Sequence, residues 1–222
     1  MRTIVITLFL SIGLAAASTV YALDKGDIIL RGGVGLIFPN DDSDELTGVP
    51  GATVGVDDSV TFAFTAGYMF HDNLALELLG IWPANHDVEG EGVLPGLGIS
   101  DVGELDIFPP TLSLNYYFQP KQKLRPHVGV GVNYSVYWDT EASSQVKAVL
   151  GNGTDLDISH SVGWAVNAGV DYDISDRMFF TANFWYVDIE AEASLKATVL
   201  GKLDVDVDVD PFVALIGLGF RF

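Results

Sequence analysis

Few side chains in this sequence could run a reaction. The 222-residue chain has no cysteine and four histidines, which excludes thiol catalysis, cysteine–zinc sites and disulfide scaffolds. The histidines are scattered as His71, His86, His127 and His160. Acyl transfer needs a nucleophile, a base and a group that orients the base. His160 stands beside Ser161, but neighbouring strand residues point to opposite faces, so the pair makes no triad. The chain reads as a non-enzyme, and it implies no cofactor. Two arrangements of charge remain. Asp204, Asp206, Asp208 and Asp210 recur at every second position and would share one strand face, where Ca²⁺ or Mg²⁺ could bridge carboxylate to phosphate. The spacing lacks the glycine turn of an EF-hand, and a solvated acidic face is the favoured account of it. No metal is assigned. Arg31, Glu77, Asp171 and Arg221 are single charges in otherwise apolar segments, and such charges need partners.

The elements that position these residues follow from bulk properties. Acidic residues outnumber basic ones 30 to 11, for a net charge of −19, and nucleic-acid binding would need the opposite balance. A hydrophobic content of 49% excludes disorder. Arg2, the apolar run 4–14 and the small-x-small signal Val20-Tyr21-Ala22 read as a secretory signal peptide, residues 1–22, cleaved after Ala22. Residues 23–222 then form the exported domain. Nothing beyond the leader approaches the length of an apolar transmembrane helix, yet mean hydropathy is +0.32. The membrane solution left is a closed β-barrel.

The alternation agrees. In 60–70, Val60, Phe62, Phe64, Ala66, Tyr68 and Phe70 share one face, and Thr61, Ala63, Thr65, Gly67 and Met69 the other. Segments 28–38, 74–82, 111–118, 127–138, 162–172, 179–187 and 212–222 repeat the pattern. Eight segments joined alternately by short turns and long connections predict an all-β fold. Specifically, they predict an eight-stranded antiparallel transmembrane β-barrel of the bacterial outer membrane with four long extracellular connections. Glycines such as Gly33, Gly129 and Gly217 fall on the inward face, as a narrow interior requires. Arg31, Glu77, Asp171 and Arg221 also face inward and should form a polar plug at the barrel floor; an ion-conducting site is the competing reading.

Several stretches resemble the outer membrane protein W (OmpW/AlkL) family. They include Leu30-Arg31-Gly32-Gly33, Phe108-Pro109-Pro110-Thr111-Leu112, the run 125–134, Gly169-Val170-Asp171-Tyr172 and Asp210-Pro211-Phe212. Phe220 and terminal Phe222 resemble the assembly signal of outer-membrane barrels, which implies the barrel assembly machinery as a partner. The resemblance implies a hydrophobic channel that takes small apolar molecules inward. It also implies that a receptor role, for phage or colicins, is open. Outer-membrane lipid and lipopolysaccharide are the expected surroundings, the latter near the aspartate row.

Three features bear on a path for an apolar solute. In the last hairpin, Val187, Ile189 and Val209 face inward opposite rows of acids, so a wall could rise above the membrane around an apolar lumen; a solvated hairpin packed on a loop is the alternative. Pro83, Pro109 and Pro110 lack ladder donors and could leave a lateral gap in the wall, or merely end strands. Leu79, Ile81, Tyr117, Tyr137, Trp185 and Val213 complete the expected lining, with Trp185 as a constriction. The function expected is passive uptake of small hydrophobic molecules, with release sideways into the membrane. The alternative is a structural or receptor-type barrel with a closed lumen.

Overall fold

The computed structural model describes residues 22–40, 42–43, 45–46, 49–82, 84–197 and 201–222. The expected leader therefore lies outside the described residues except for Ala22, and so does Pro83. In chain order the strands are β1 (Ile28–Phe38), β2 (Asp42–Ser43), β3 (Ala52–Val56), β4 (Ser59–His71), β5 (Leu74–Ile81), β6 (Ala84–Gly92), β7 (Asp101–Phe108) and β8 (Thr111–Tyr117). They continue with β9 (Leu124–Ala142), β10 (Asp155–Ile158), β11 (Ser161–Asp173), β12 (Met178–Val187), β13 (Glu190–Ala197), β14 (Gly201–Asp208) and β15 (Phe212–Arg221). One helix, α1 (Ser144–Leu150), follows β9.

Eight of these strands close a ring in the order β1-β4-β5-β8-β9-β11-β12-β15, and β15 returns to β1. Every neighbouring pair is antiparallel. Closure matters physically because a strand edge in lipid would leave unpaired N–H and C=O groups. The seam is long, running from Ile29↔Arg221 to Phe38↔Phe212. Gly33 sits opposite Gly217 in it, and a Cβ on Gly217 would come within 2.2 Å of the Gly32 carbonyl oxygen. Glycine is required there by close backbone approach.

The period-2 faces sort as alternation predicts. Leu30, Val34, Phe62, Tyr68, Leu76, Leu112, Val130, Trp164, Phe180 and Ile216 are exposed on the outer surface, while Ile29, Met69, Leu79, Ala165 and Leu215 are buried inside. An outer belt of this kind is stable only against hydrocarbon.

The long connections carry strands, as expected of the last hairpin. They are built of strands that extend the wall. β3, β6 and β7 pair in series and join the upper half of β9. β10, β13, β14 and β2 form a second sheet. β9 runs through both levels, which is why it reaches 19 residues. Together these strands make a collar above the barrel, with an apolar inner face: Ala191↔Val207, Ala193↔Val205 and Leu195↔Leu203 face one another across β13 and β14.

Candidate functional site: an apolar lumen on a closed polar floor

Two cavities occupy the axis. The upper, a cavity of about 60 Å³, is lined by collar residues including Val88, Val102, Leu156, Ala191, Leu195, Val205 and Val207. The lower, also about 60 Å³, is lined by Ile37, Leu79, Ile81, Ile107, Pro109, Val187, Ile189, Pro211 and Val213 among others. Val56, Leu105, Tyr137 and Val209 line both, so the cavities meet at that ring. The lining is almost wholly hydrocarbon, which favours ligands that bind by burial of apolar surface.

Of the sequence-derived lining set, Leu79, Ile81, Tyr137, Val187, Ile189, Val209 and Val213 lie on these cavities. Trp185 and Tyr117 do not. Trp185 is only 2% exposed and belongs to the same apolar cluster, but it borders neither cavity among the described contacts. Its strand partners are Asn167 and Val213, so it sits at the transition from the lumen to the polar layer beneath. Tyr117 lies deeper still: its ring stacks on His127 with centroids 4.7 Å apart, and its hydroxyl accepts a hydrogen bond from Arg31 Nη2 at 2.7 Å. Its inward phase is as expected, but its height on the strand puts it in the floor.

That floor has two tiers. In the first, Arg31 donates to both Asp171 oxygens, at 3.1 Å from Nε and 2.8 Å from Nη2, and its Nη1 bonds Glu77. Thr181 donates to Asp171 Oδ1 at 2.8 Å, Asn183 Nδ2 donates to Thr181 Oγ1 at 2.7 Å, and His127 bonds Asn183 Oδ1 at 2.7 Å. In the second tier, Asp173 accepts from Arg125 at 2.6 Å and from Arg221 at 3.3 Å. The structure therefore places Arg221 apart from the Arg31 group, one tier nearer the short-turn end. Arg125 and Asp173 lie just beyond the alternating segments 127–138 and 162–172. Continuing the same alternation by one inward step from His127 and Asp171 reaches both.

Packed against the tiers is an apolar cluster of Leu23, Ile29, Met69, Ala75, Tyr117 and Phe179, whose Phe179 ring lies 5.6 Å from the Arg31 guanidinium and 5.3 Å from that of Arg125. Leu23 is wholly buried, with its N–H on the Pro120 carbonyl at 2.8 Å.

Beside the lower cavity the ladder of one seam is interrupted. The β5–β8 ladder ends at Leu79↔Thr111, and pairing along this seam resumes with β6–β7 at Ala84↔Ile107. Among the described residues no ladder pair joins 80–82 to 108–110. Leu79 and Ile81 border the cavity on one side of the seam, and Ile107, Pro109 and Thr111 on the other. The Pro110 carbonyl accepts the Tyr134 N–H at 3.1 Å on the β9 side, and Asn133 Nδ2 donates to the Pro109 and Pro110 carbonyls at 3.1 and 3.3 Å.

The aspartate row divides. Asp204 bonds Lys202 at 2.8 Å and the Ser194 hydroxyl at 2.7 Å, and Asp210 accepts from the Tyr186 hydroxyl at 2.7 Å, while Asp206 and Asp208 are exposed. Among the described residues no three acidic or histidine side chains converge as metal ligands would. Phe220 and Phe222 point outward, and Phe222 exchanges backbone bonds of 3.0 Å with Ile28.

A closed barrel with an apolar belt, a capped floor and an apolar lumen defines an outer-membrane β-barrel protein. The OmpW family model matches residues 24–222, and the chain belongs to that family. It is 36% identical to outer membrane protein W of Vibrio cholerae over 217 residues, which cover 94% of this chain and 95% of that one. The crystal structure of OprG from Pseudomonas aeruginosa superposes with a TM-score of 0.84 at 33% identity, covering 91% of this chain and 99% of that one. The dibenzothiophene metabolism operon protein PahQ of Pseudomonas aeruginosa is 27% identical over 176 residues, 78% of this chain and 77% of that one.

Proposed function

We propose that this barrel is a passive channel for small hydrophobic molecules, which enter the collar from outside the cell and leave sideways into the membrane. The observation that carries this reading is the run of two adjacent apolar cavities with a shared ring of lining residues, which ends on a closed floor beside a break in the wall. A solute moving straight down would have to pass buried ion pairs and the apolar cluster packed against them. Stripping an apolar molecule across such a layer gains nothing and disrupts pairs that are costly to break. The seam at 80–82 and 108–110 offers an exit at the level of the cavity. The name of the PahQ relative refers to metabolism of dibenzothiophene, an apolar aromatic compound, which agrees with cargo of this class. In the same reading residues 1–22 are a leader removed on export, the collar faces outward among lipopolysaccharide, and Phe220 and Phe222 are read by the assembly machinery.

The test is uptake of a radiolabelled apolar aromatic solute by cells whose outer leaflet is intact lipopolysaccharide. Cells with the wild-type protein are compared with cells lacking it and with cells carrying Val209→Asp or Pro109→Ala. Val209→Asp sets a carboxylate where both cavities meet and should abolish the gain in uptake. Pro109→Ala restores a ladder donor and should reduce it. Uptake equal in all strains would overturn the channel and favour a structural or receptor role. Loss in Val209→Asp alone would keep the channel and remove the lateral exit.

A further inference from the structure

The lumen is not uniformly apolar. Tyr137 stands on the ring where the two cavities meet, together with Val56, Leu105 and Val209. It is 8% exposed, and its hydroxyl oxygen makes no hydrogen bond within normal geometry. Its polar neighbour Ser135 donates its hydroxyl to Asn133 Oδ1 at 2.7 Å, and no hydrogen bond of normal geometry joins it to Tyr137. The other hydroxyl on the lower cavity, Thr111, is already engaged: it donates to the Pro109 carbonyl at 3.3 Å and accepts from Asn133 Nδ2 at 2.9 Å. Tyr137 therefore presents a buried donor and acceptor on the ring that both cavities share, in an otherwise hydrocarbon path.

A hydroxyl buried without a partner is unfavourable, and a passing molecule decides whether it stays so. A pure hydrocarbon at the ring would displace any water and leave the hydroxyl unpaired. A hydrocarbon that carries one oxygen would satisfy it while its apolar body fills the cavities on either side. Sites built this way discriminate strongly against analogues that lack the bonding group.

We propose that Tyr137 is a specificity-determining residue that selects apolar solutes bearing a single hydrogen-bonding oxygen, such as ketones and alcohols, over plain hydrocarbons of the same size. The proposal rests on the channel reading and names its substrate class.

The experiment uses the full-length barrel in lipid nanodiscs, with tyrosine labelled with ¹³C at the ring carbon that bears the hydroxyl. The probes are 2-heptanone and octane, matched in heavy-atom count. Tyr137→Phe assigns the Tyr137 signal, keeps the ring and removes only the oxygen. The Tyr137 signal should shift saturably with 2-heptanone and less with octane. Apparent affinities come from ring-proton contacts to the lumen methyl groups, and their ratio should favour the ketone by about five- to tenfold in wild type. That preference should vanish in Tyr137→Phe; partition into the bilayer is common to both proteins and cancels in the comparison. An equal ratio in both proteins would overturn the role of Tyr137 and leave the channel standing. Saturation by neither probe would overturn both. A ratio lost in the variant while octane affinity holds or rises supports the proposal, because a merely structural tyrosine would weaken both probes together.

Discussion

Arg31 and Asp171 lie 140 positions apart in the chain and meet in a doubly hydrogen-bonded pair, 2.8 Å at its shorter contact, with both side chains shut off from solvent. Glu77 shares the same guanidinium. Two carboxylates therefore depend on one cation for their burial. Arg31→Met should leave both uncompensated and destabilise the barrel by about 3–5 kcal/mol. Urea-driven unfolding in detergent micelles measures this directly. The triple variant Arg31→Met, Glu77→Gln, Asp171→Asn should recover most of the loss, since no charge is then stranded.

Closure of the barrel rests on small residues where β1 meets β15. A Cβ on Gly33 would lie 2.3 Å from the Ile216 carbonyl oxygen, and one on Gly217 would lie 2.7 Å from Gly33 Cα. Backbone cannot yield as a side chain can. Gly217→Ala should slow or prevent closure, and the folded, heat-modifiable band on a semi-native gel should weaken. Gly32→Ala serves as the control, because its Cβ would meet only the flexible Phe62 ring tip, at 3.1 Å.

Two like-charged pairs face each other across the collar hairpin: Glu190 opposite Asp208 and Glu192 opposite Asp206. Like charges directly opposite on a sheet repel. Asp206→Lys should convert the second pair to an attraction and stabilise the hairpin by about 0.2–1 kcal/mol. Amide exchange over residues 190–208 should slow, with a smaller effect at high salt.

The same hairpin carries a pair with a defined pH response. The Lys202 ammonium and the Ser194 hydroxyl hold the Asp204 carboxyl below its usual range, and Asp204 in turn raises Lys202. A depressed carboxyl contributes above its unfolded value near pH ~4 and loses that contribution as pH falls through the folded value. A raised lysine contributes below its unfolded value near pH ~10 and loses that contribution as pH rises through the folded one. Amide protection near Ser194 and Asp204 should therefore be greatest between these limits and fall at both. Asp204→Asn should remove the carboxylate's contribution and flatten both responses. The effect should be small, because both groups are exposed.

Much of the architecture was legible in the sequence. Strand alternation is a local property: the two faces of residues 60–70 can be read without knowing any neighbour, and they fall outward and inward as read. Inward phase was equally readable for Val187, Ile189, Val205 and Val207, because the acids between them mark the solvent side. Height along the barrel axis was not readable. Tyr117, Trp185 and Tyr137 all face inward, yet one lies in the polar floor, one at its edge and one at the meeting of two cavities. Stagger between neighbouring strands sets that height, and stagger is fixed only when the ring closes.

The long connections show the same division. Their lengths were plain in the sequence, but their strands pair with partners far away, such as Gly103 with Ala142 and Leu156 with Leu195. The sequence by itself determined a closed barrel, which residues meet lipid, and an apolar interior with a few charges that require partners. Only the tertiary structure decided which charges pair, that the collar continues the wall, and where the lumen stops. A two-residue period fixes the face on which a side chain lies, whereas contacts between strands depend on register across the whole closed sheet.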